Sequence, residues 1–234
     1  MNQDAVRCEK ARSLKQIARD PLTGAQIRIG VMGSADRSAN ADVLELCRKL
    51  GQVIVERGCC LLTGACPGLP HSAVLGAKEA GGYVVGISPA ASLKEHVQVF
   101  DSPYKEYDAL IFTGLGLMGR ELVNIRSSDI MIVVGGRSGT LGEFAIAYEE
   151  GKLIGVLSGT GGITSALPVL ESSIGKSTGS EVIYGSDPHD LMDQLLERYL
   201  SEGYKCPCHP NGAIAENKKN QALTGRSIRS SSDE

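Results

Sequence analysis

A repeating unit constrains this chain more than any other feature: a short apolar run rich in β-branched residues, a glycine-rich turn, then a segment of helical period. Ile27–Met32 (IRIGVM) ends at Gly33-Ser34, and Ala41–Arg57 follows with Val43, Leu46, Leu50 and Val53/Ile54 on one helical face. Gly58 closes that helix as a C′ glycine does. The unit recurs as strand Cys59–Thr63, loop Gly64–Pro70 and helix His71–Ala80, then strand Tyr83–Ser88. It recurs again as strand Ala109–Thr113 with helix Gly119–Ser127, and as strand Ile130–Val134 with loop Gly135–Thr140 and helix Leu141–Glu150. Lys152–Leu157 and Glu181–Tyr184 complete the strands, and Asp187–Leu200 is an amphipathic helix with Pro188 in its first turn. Pro89–Lys105 has little periodicity and reads as an excursion. Near-continuous apolar strands alternating with helices predict an α/β fold: a three-layer, Rossmann-like parallel sheet of about seven strands with helices on both faces. Ligands bind such sheets beyond the carboxyl ends of the strands. The turns at Gly33, Gly64–Gly68, Gly114–Gly119 and Gly135–Gly139 all fall at that edge.

The length of 234 residues predicts a single domain over 26–205, preceded by a helical extension (1–25) and followed by a polar, disordered tail (206–234). A net charge of -3, the absence of Trp and the lack of a basic stripe argue against a nucleic-acid partner. The first twenty residues lack an apolar signal core, and no run approaches the length of a membrane span, so a soluble cytoplasmic protein is expected. The seven cysteines are an odd count, several lie in apolar runs, and they fit a reducing compartment. Cys206-Pro-Cys-His209 resembles a metal ligand set, but no second pair stands at zinc spacing, and neither metal nor cofactor is expected.

Gly114–Arg120 (GLGLMGR) follows a strand and has the literal form of a dinucleotide fingerprint, G-x-G-x-x-G. That reading requires an acidic residue ending the next strand, and Val134-Gly135 offers none. The string also lies mid-chain, whereas the fingerprint belongs to the first βα turn.

Val133–Lys152 (VVGGRSGTLGEFAIAYEEGK) is more informative. A buried strand empties into a glycine-rich loop and a helix opens near Thr140, which is a ready anion site. Gly136 and Gly139 permit close backbone approach to a phosphate. Glu143, one turn in, is a poor phosphate ligand; it suits a general base or an acceptor for sugar hydroxyls, or it simply favours the helix N-terminus.

These segments together resemble the LOG-like Rossmannoid superfamily, often labelled lysine decarboxylase-like. It includes cytokinin riboside 5′-monophosphate phosphoribohydrolases and molybdenum-cofactor carrier proteins. The hydrolases carry P-G-G-x-G-T-x-x-E after a strand, and Gly135–Glu143 stands in register with it. Their Arg-Lys pair stands fifteen residues earlier, at Arg120-Glu121 here. Gly64–Gly68 and Ala80–Pro89 match further family segments, so the resemblance runs from about Ile27 to Leu157. It implies Arg120 and Glu143 as a catalytic pair. It implies a ligand-binding set of Gly33, Ser34, Gly64, Gly68, Gly135, Gly136, Arg137, Ser138, Gly139 and Thr140. The implied activity is hydrolysis of the N-glycosidic bond of a nucleoside 5′-monophosphate; the alternative is a non-catalytic carrier of a phosphorylated pterin or nucleotide. A homodimer is implied as well. The chain departs from the hydrolase motif at three places: Gly135 replaces proline, Arg137 replaces glycine, and Glu121 replaces lysine. Lysine decarboxylation itself wants a Schiff-base lysine, and no lysine lies in the glycine-rich turns. Arg126 is expected to pair with Asp129 or Glu121, His71 to serve at a helix start, and Cys66 to be non-catalytic.

Overall fold

The computed structural model describes residues 18–20 and 23–201. Seven strands form one wholly parallel sheet: β1 (Arg28–Gly33), β2 (Cys60–Thr63), β3 (Val84–Ser88), β4 (Ala109–Phe112), β5 (Ile130–Val134), β6 (Leu153–Leu157) and β7 (Glu181–Gly185). Their spatial order is β4-β3-β2-β1-β5-β6-β7. The chain builds outward from β1 to the edge strand β4, returns to pair β5 with β1, and builds outward again. The β1–β5 junction is therefore the topological switch point, where connections leave in opposite directions and a crevice opens.

Strand residues alternate between two cores, as a sheet buried on both faces requires. Ile130, Ile132 and Val134 join one core; Met131 and Val133 join the other. The first core lies beneath α1 (Ala41–Glu56), α2 (Leu69–Glu79) and, near the other end of the sheet, α7 (Pro188–Leu200). The second lies beneath α4 (Gly116–Ser127), α5 (Ser138–Glu149) and α6 (Leu167–Ile174). Short-range chemistry sets several helix ends. Asn40 accepts the Asp42 N–H at the start of α1, and Asp187 accepts the N–H groups of His189 and Asp190 at the start of α7.

The expected three-layer parallel fold is present, with every expected strand found to within a residue or so at each end. Helix starts differ more. The helix after β2 begins at Leu69, because proline is tolerated in a first turn and Gly68 supplies the left-handed entry (φ +79°). The helices after β4 and β5 begin at Gly116 and Ser138, three residues before the apolar period becomes visible. The Pro89–Lys105 excursion holds a six-residue helix, α3 (Leu93–Gln98), capped by Ser92, with Glu95 reaching back to the Ala91 N–H. A 3₁₀ turn (Gly162–Ser165) and α6 fill the segment after β6, where no period marked them. Of the expected N-terminal helical extension, the described part carries an antiparallel bridge between Arg19 and Gln26. The remainder of that extension and the 206–234 tail, with its Cys206–His209 run, lie outside the described residues. No helix among the described residues is long and apolar enough to cross a membrane.

α1 and α2 pack through reciprocal glycines. A Cβ built on Gly51 would stand 1.9 Å from the Ala73 carbonyl oxygen, and one on Gly76 would stand 1.8 Å from the Arg48 carbonyl oxygen. The obstructing atoms are backbone and cannot swing aside. Gly51→Ala gains helix propensity of up to about 1 kcal/mol but overpacks a backbone contact, typically costing about 1–3 kcal/mol or more. We expect a net loss and a thermal midpoint lower by several degrees, about 2–4 °C per kcal/mol for a chain of this size. A midpoint unchanged or raised in a melting curve contradicts this account of the contact.

Candidate functional site

A cavity of about 460 Å³ opens at the carboxyl edge of the sheet, beside the switch point. Its walls come from the turns after β1, β2 and β5 and from the start of α4. Gly33, Ser34 and Gly64 form one side, Arg137, Ser138, Gly139 and Thr140 the other, and Arg120 and Glu143 complete it.

Backbone shape dictates much of this wall. Gly33 ends β1 against β5 so closely that a Cβ would stand 2.1 Å from the Val134 carbonyl oxygen. At Gly64 a Cβ would stand 1.4 Å from Arg120 Nη1, so the tip of the guanidinium occupies space that only glycine leaves open. Ser138 opens α5, and no side chain caps that helix: its N-cap residue is Arg137, which makes no capping hydrogen bond. The first-turn N–H groups of α5 and the positive end of its dipole are therefore free for an anion.

Other expected binding residues lie elsewhere. Gly68 packs on the Ser34 carbonyl and faces a neighbouring hollow of about 690 Å³, together with His71. Gly135 donates its N–H to Thr160 Oγ1 at 2.8 Å. Gly136 (φ +100°) faces a third hollow of about 400 Å³ bordered by Gly159–Gly162. That Ser158–Gly162 turn is a fifth glycine-rich turn, legible in the sequence from the strand before it. Ala35, Asp36, Leu117, Met118 and Glu121 also line this cavity; of these, Glu121 alone stands out in the sequence, as the replacement of the family's lysine. Asp36 binds Arg137 across the mouth at 2.7 Å, an exposed pair whose contribution to stability is small.

The floor is charged and largely buried. Arg120, Glu121 and Glu143 are 6%, 5% and 6% exposed. Arg120 Nε and Glu121 Oε2 are buried without a hydrogen-bond partner among the described residues. Burial pushes the Glu143 carboxyl up to about 7; Arg120 pulls it down and Glu121 pushes it further up. Glu121 is raised too, by burial against the opposing pull of Arg120. Cys66 lines the cavity, but burial raises its thiol to about 11, so it is no thiolate nucleophile at neutral pH.

Arg126 pairs with Glu150 at 2.7 Å, and not with Asp129 or Glu121 as expected; Asp129 instead binds Arg28 at 2.7 Å. The crossover of α4 turns Arg126 toward the end of α5, while Asp129 faces the start of β1 and accepts its backbone N–H. His71 lies about 6.5 Å from the Tyr107 ring and is held below its usual pKa by burial.

With this geometry in place, the sequence model of the SLOG cluster4 family matches residues 26–192, most of the chain. The chain belongs to the SLOG cluster4 family. The resemblance to the LOG-like Rossmannoid superfamily is borne out by that match and by solved structures. TM1055, a structural genomics target, superposes with a TM-score of 0.62 at 26% identity, over 74% of this chain and 99% of its own. The molybdenum cofactor binding protein of Rippkaea orientalis superposes with a TM-score of 0.60 at 30% identity, over 75% of this chain and 98% of its own. The molybdenum cofactor carrier protein of Chlamydomonas reinhardtii gives 0.57 at 29% identity, over 73% and 98%.

A carboxyl raised on folding makes stability fall as pH rises. The folded Glu143 keeps its proton up to about 7, whereas the unfolded chain releases it near 4.5. Between those values the native state binds more protons, so raising the pH costs stability, at most about 3 kcal/mol for this group. Glu143→Gln removes that loss. We expect the melting temperature of the variant relative to wild type to rise from pH 5 to about pH 7 and to level off above it; a difference constant from pH 5 to pH 8 contradicts the assignment.

Proposed function

We propose that this SLOG cluster4 protein binds a phosphorylated small molecule of nucleotide or pterin type in the cavity at the carboxyl edge of β1 and β5. The uncapped N-terminus of α5, opening on that cavity beside Arg137 and Ser138, carries the reading. Its amides and dipole suit a phosphate, and the cavity volume of about 460 Å³ suits a nucleotide-sized ligand. Two solved relatives named for molybdenum-cofactor binding or carriage support a pterin ligand held without turnover. Among the described residues, no group of three or more His, Cys, Asp or Glu is placed to hold a metal. The contacts open to such a cargo are those to its phosphate and its ring. Native mass spectrometry of freshly purified protein should show a retained phosphorylated ligand. Arg120→Ala should lower its occupancy severalfold or more.

A second reading is favoured by Glu143. A buried carboxyl with a pKa of about 7 beside Arg120 is poised for general acid-base work near neutrality. In N-glycosidic hydrolysis of a nucleoside 5′-monophosphate, positive charge builds on the ribose ring and a carboxylate stabilises it. Glu143 would activate water or shield the ribosyl cation, and Arg120 would hold substrate oxygens through its planar fork. Free base is measured by chromatography after incubation with a panel of nucleoside monophosphates. Release by wild type and not by Glu143→Gln favours hydrolysis; equal inertness of both on the whole panel leaves binding.

The homodimer belongs to the same proposal. Leu115, Met118 and Leu122 recur at helical spacing, are 57%, 72% and 37% exposed, and form an apolar row beside the cavity mouth. A second copy seated there would shield Met118 and close the mouth. Met118→Glu should shift the sedimentation coefficient from dimer to monomer; a monomeric wild type contradicts the proposal.

A further inference from the structure

Among the described residues, no hydrogen bond accounts for the burial of Glu121. It follows Arg120 on α4, is 5% exposed, and lines the cavity. Its carboxylate lies along the first turn of α5. There Gly139 and Gly142 leave room: a Cβ on either would stand 3.7 Å from Oε1 or 3.4 Å from Oε2. Oε2 is buried and has no hydrogen-bond partner among the described residues. A buried charged acceptor left without a donor is costly, and such groups in native proteins have a reason. A ligand seated in the cavity that Glu121 lines is one source of the missing donor.

The neighbouring charges say what that donor is. Two buried carboxylates, Glu121 and Glu143, share this floor with one arginine. A phosphate placed among them would be repelled. It belongs at the open N-terminal end of α5, against Arg137 and Ser138, whereas the Glu121 carboxylate lies alongside that turn at Gly139 and Gly142. The ligand then enters ring first, with its phosphate at the mouth. Arg120 Nε, also buried and without a partner, adds one donor beside the carboxylate acceptor.

We infer that Glu121 and Arg120 read the ligand's ring, and that the ring is a 2-amino-4-oxopyrimidine, the edge shared by guanine and pterins. The carboxylate accepts the ring N–H and the adjoining amino group side by side, and Arg120 Nε donates to the neighbouring carbonyl oxygen. Adenine offers an amino donor next to an acceptor nitrogen and meets the carboxylate with a lone pair. Hypoxanthine keeps the N–H and the carbonyl but lacks the amino group. The inference rests on the binding role proposed above and adds the identity of the ring edge.

Isothermal titration with guanosine, inosine and adenosine 5′-monophosphates tests it, together with a pterin monophosphate and its lumazine counterpart, in which oxygen replaces the 2-amino group. Wild type should bind each 2-amino ligand about tenfold or more tightly than its partner lacking that group, as expected for a hydrogen bond to a charged acceptor. Glu121→Gln should still bind but narrow that ratio to about threefold or less, whereas Arg137→Ala should weaken all five ligands evenly. Equal affinities in wild type, or a ratio unchanged in Glu121→Gln, overturns the inference and leaves the binding reading intact. The wild-type guanosine/inosine ratio decides on its own if the variant does not fold. Failure of wild type to bind any of the five overturns the binding reading itself, and the inference with it.

Discussion

The parallel pairing of β1 with β5 is the contact on which the rest of this molecule depends. It runs from Ile29↔Ile130 to Gly33↔Val134 and joins strands that lie a hundred residues apart in the chain. The two halves of the sheet grow away from that seam in opposite directions, so the turns after β1 and β5 diverge and leave a crevice between them. The seam also needs a bare backbone at its end, since a side chain on Gly33 would collide with the Val134 carbonyl. The cavity, the open start of α5 and the Asp36–Arg137 pair across the mouth all sit on that one junction.

A second constraint is electrostatic. The crossover from the edge strand β4 to the central strand β5 carries α4 over the sheet and delivers Arg120 and Glu121 to a crevice built by other strands. There Arg120 rests on Gly64, and two carboxyl groups share its field without a direct salt bridge to it. A buried site with more carboxylates than cations holds protons tightly, and so the Glu143 carboxyl rises to about 7. The same imbalance divides the cavity into a floor that wants hydrogen-bond donors and a mouth that wants an anion. A chain that only needed a stable fold would gain by replacing such a buried polar cluster with apolar residues, which is why the cluster reads as a binding feature.

The literal G-x-G-x-x-G at Gly114–Gly119 shows how a motif changes meaning in three dimensions. Gly114 and Gly116 adopt left-handed backbone (φ +63° and +68°) to turn the chain from the edge strand into α4, whereas a dinucleotide fingerprint would follow a strand at the switch point. What the string contributes to the site is its last residue, Arg120, and the residue after it. Arg120 was legible only through the family resemblance, which sets an arginine fifteen residues before the Gly135–Glu143 loop. Glu121 was legible only as a departure from the family's lysine. Its neighbours Gly139 and Gly142 lie eighteen and twenty-one residues on, and no local period links them.

Local chemistry was enough to establish the strands, the parallel sheet and the edge at which ligands gather. Apolar runs, β-branched residues and glycine punctuation act over a few residues, and the sequence records them directly. It also placed Arg120, Glu143 and the Gly135–Thr140 loop together, through a motif of fixed spacing. Tertiary structure alone decided which glycines face the cavity: Gly33, Gly64 and Gly139 do, Gly68 and Gly136 face other hollows, and Gly135 spends its N–H on Thr160. It alone turned Arg126 to Glu150, aimed Asp36 at Arg137, and left Glu121 and Arg120 with orphaned polar atoms. The physical reason is range. Secondary structure is fixed by neighbours in sequence, whereas burial, ion pairing and pKa depend on groups that only the crossover of α4 and the closure of β5 onto β1 bring within reach of one another.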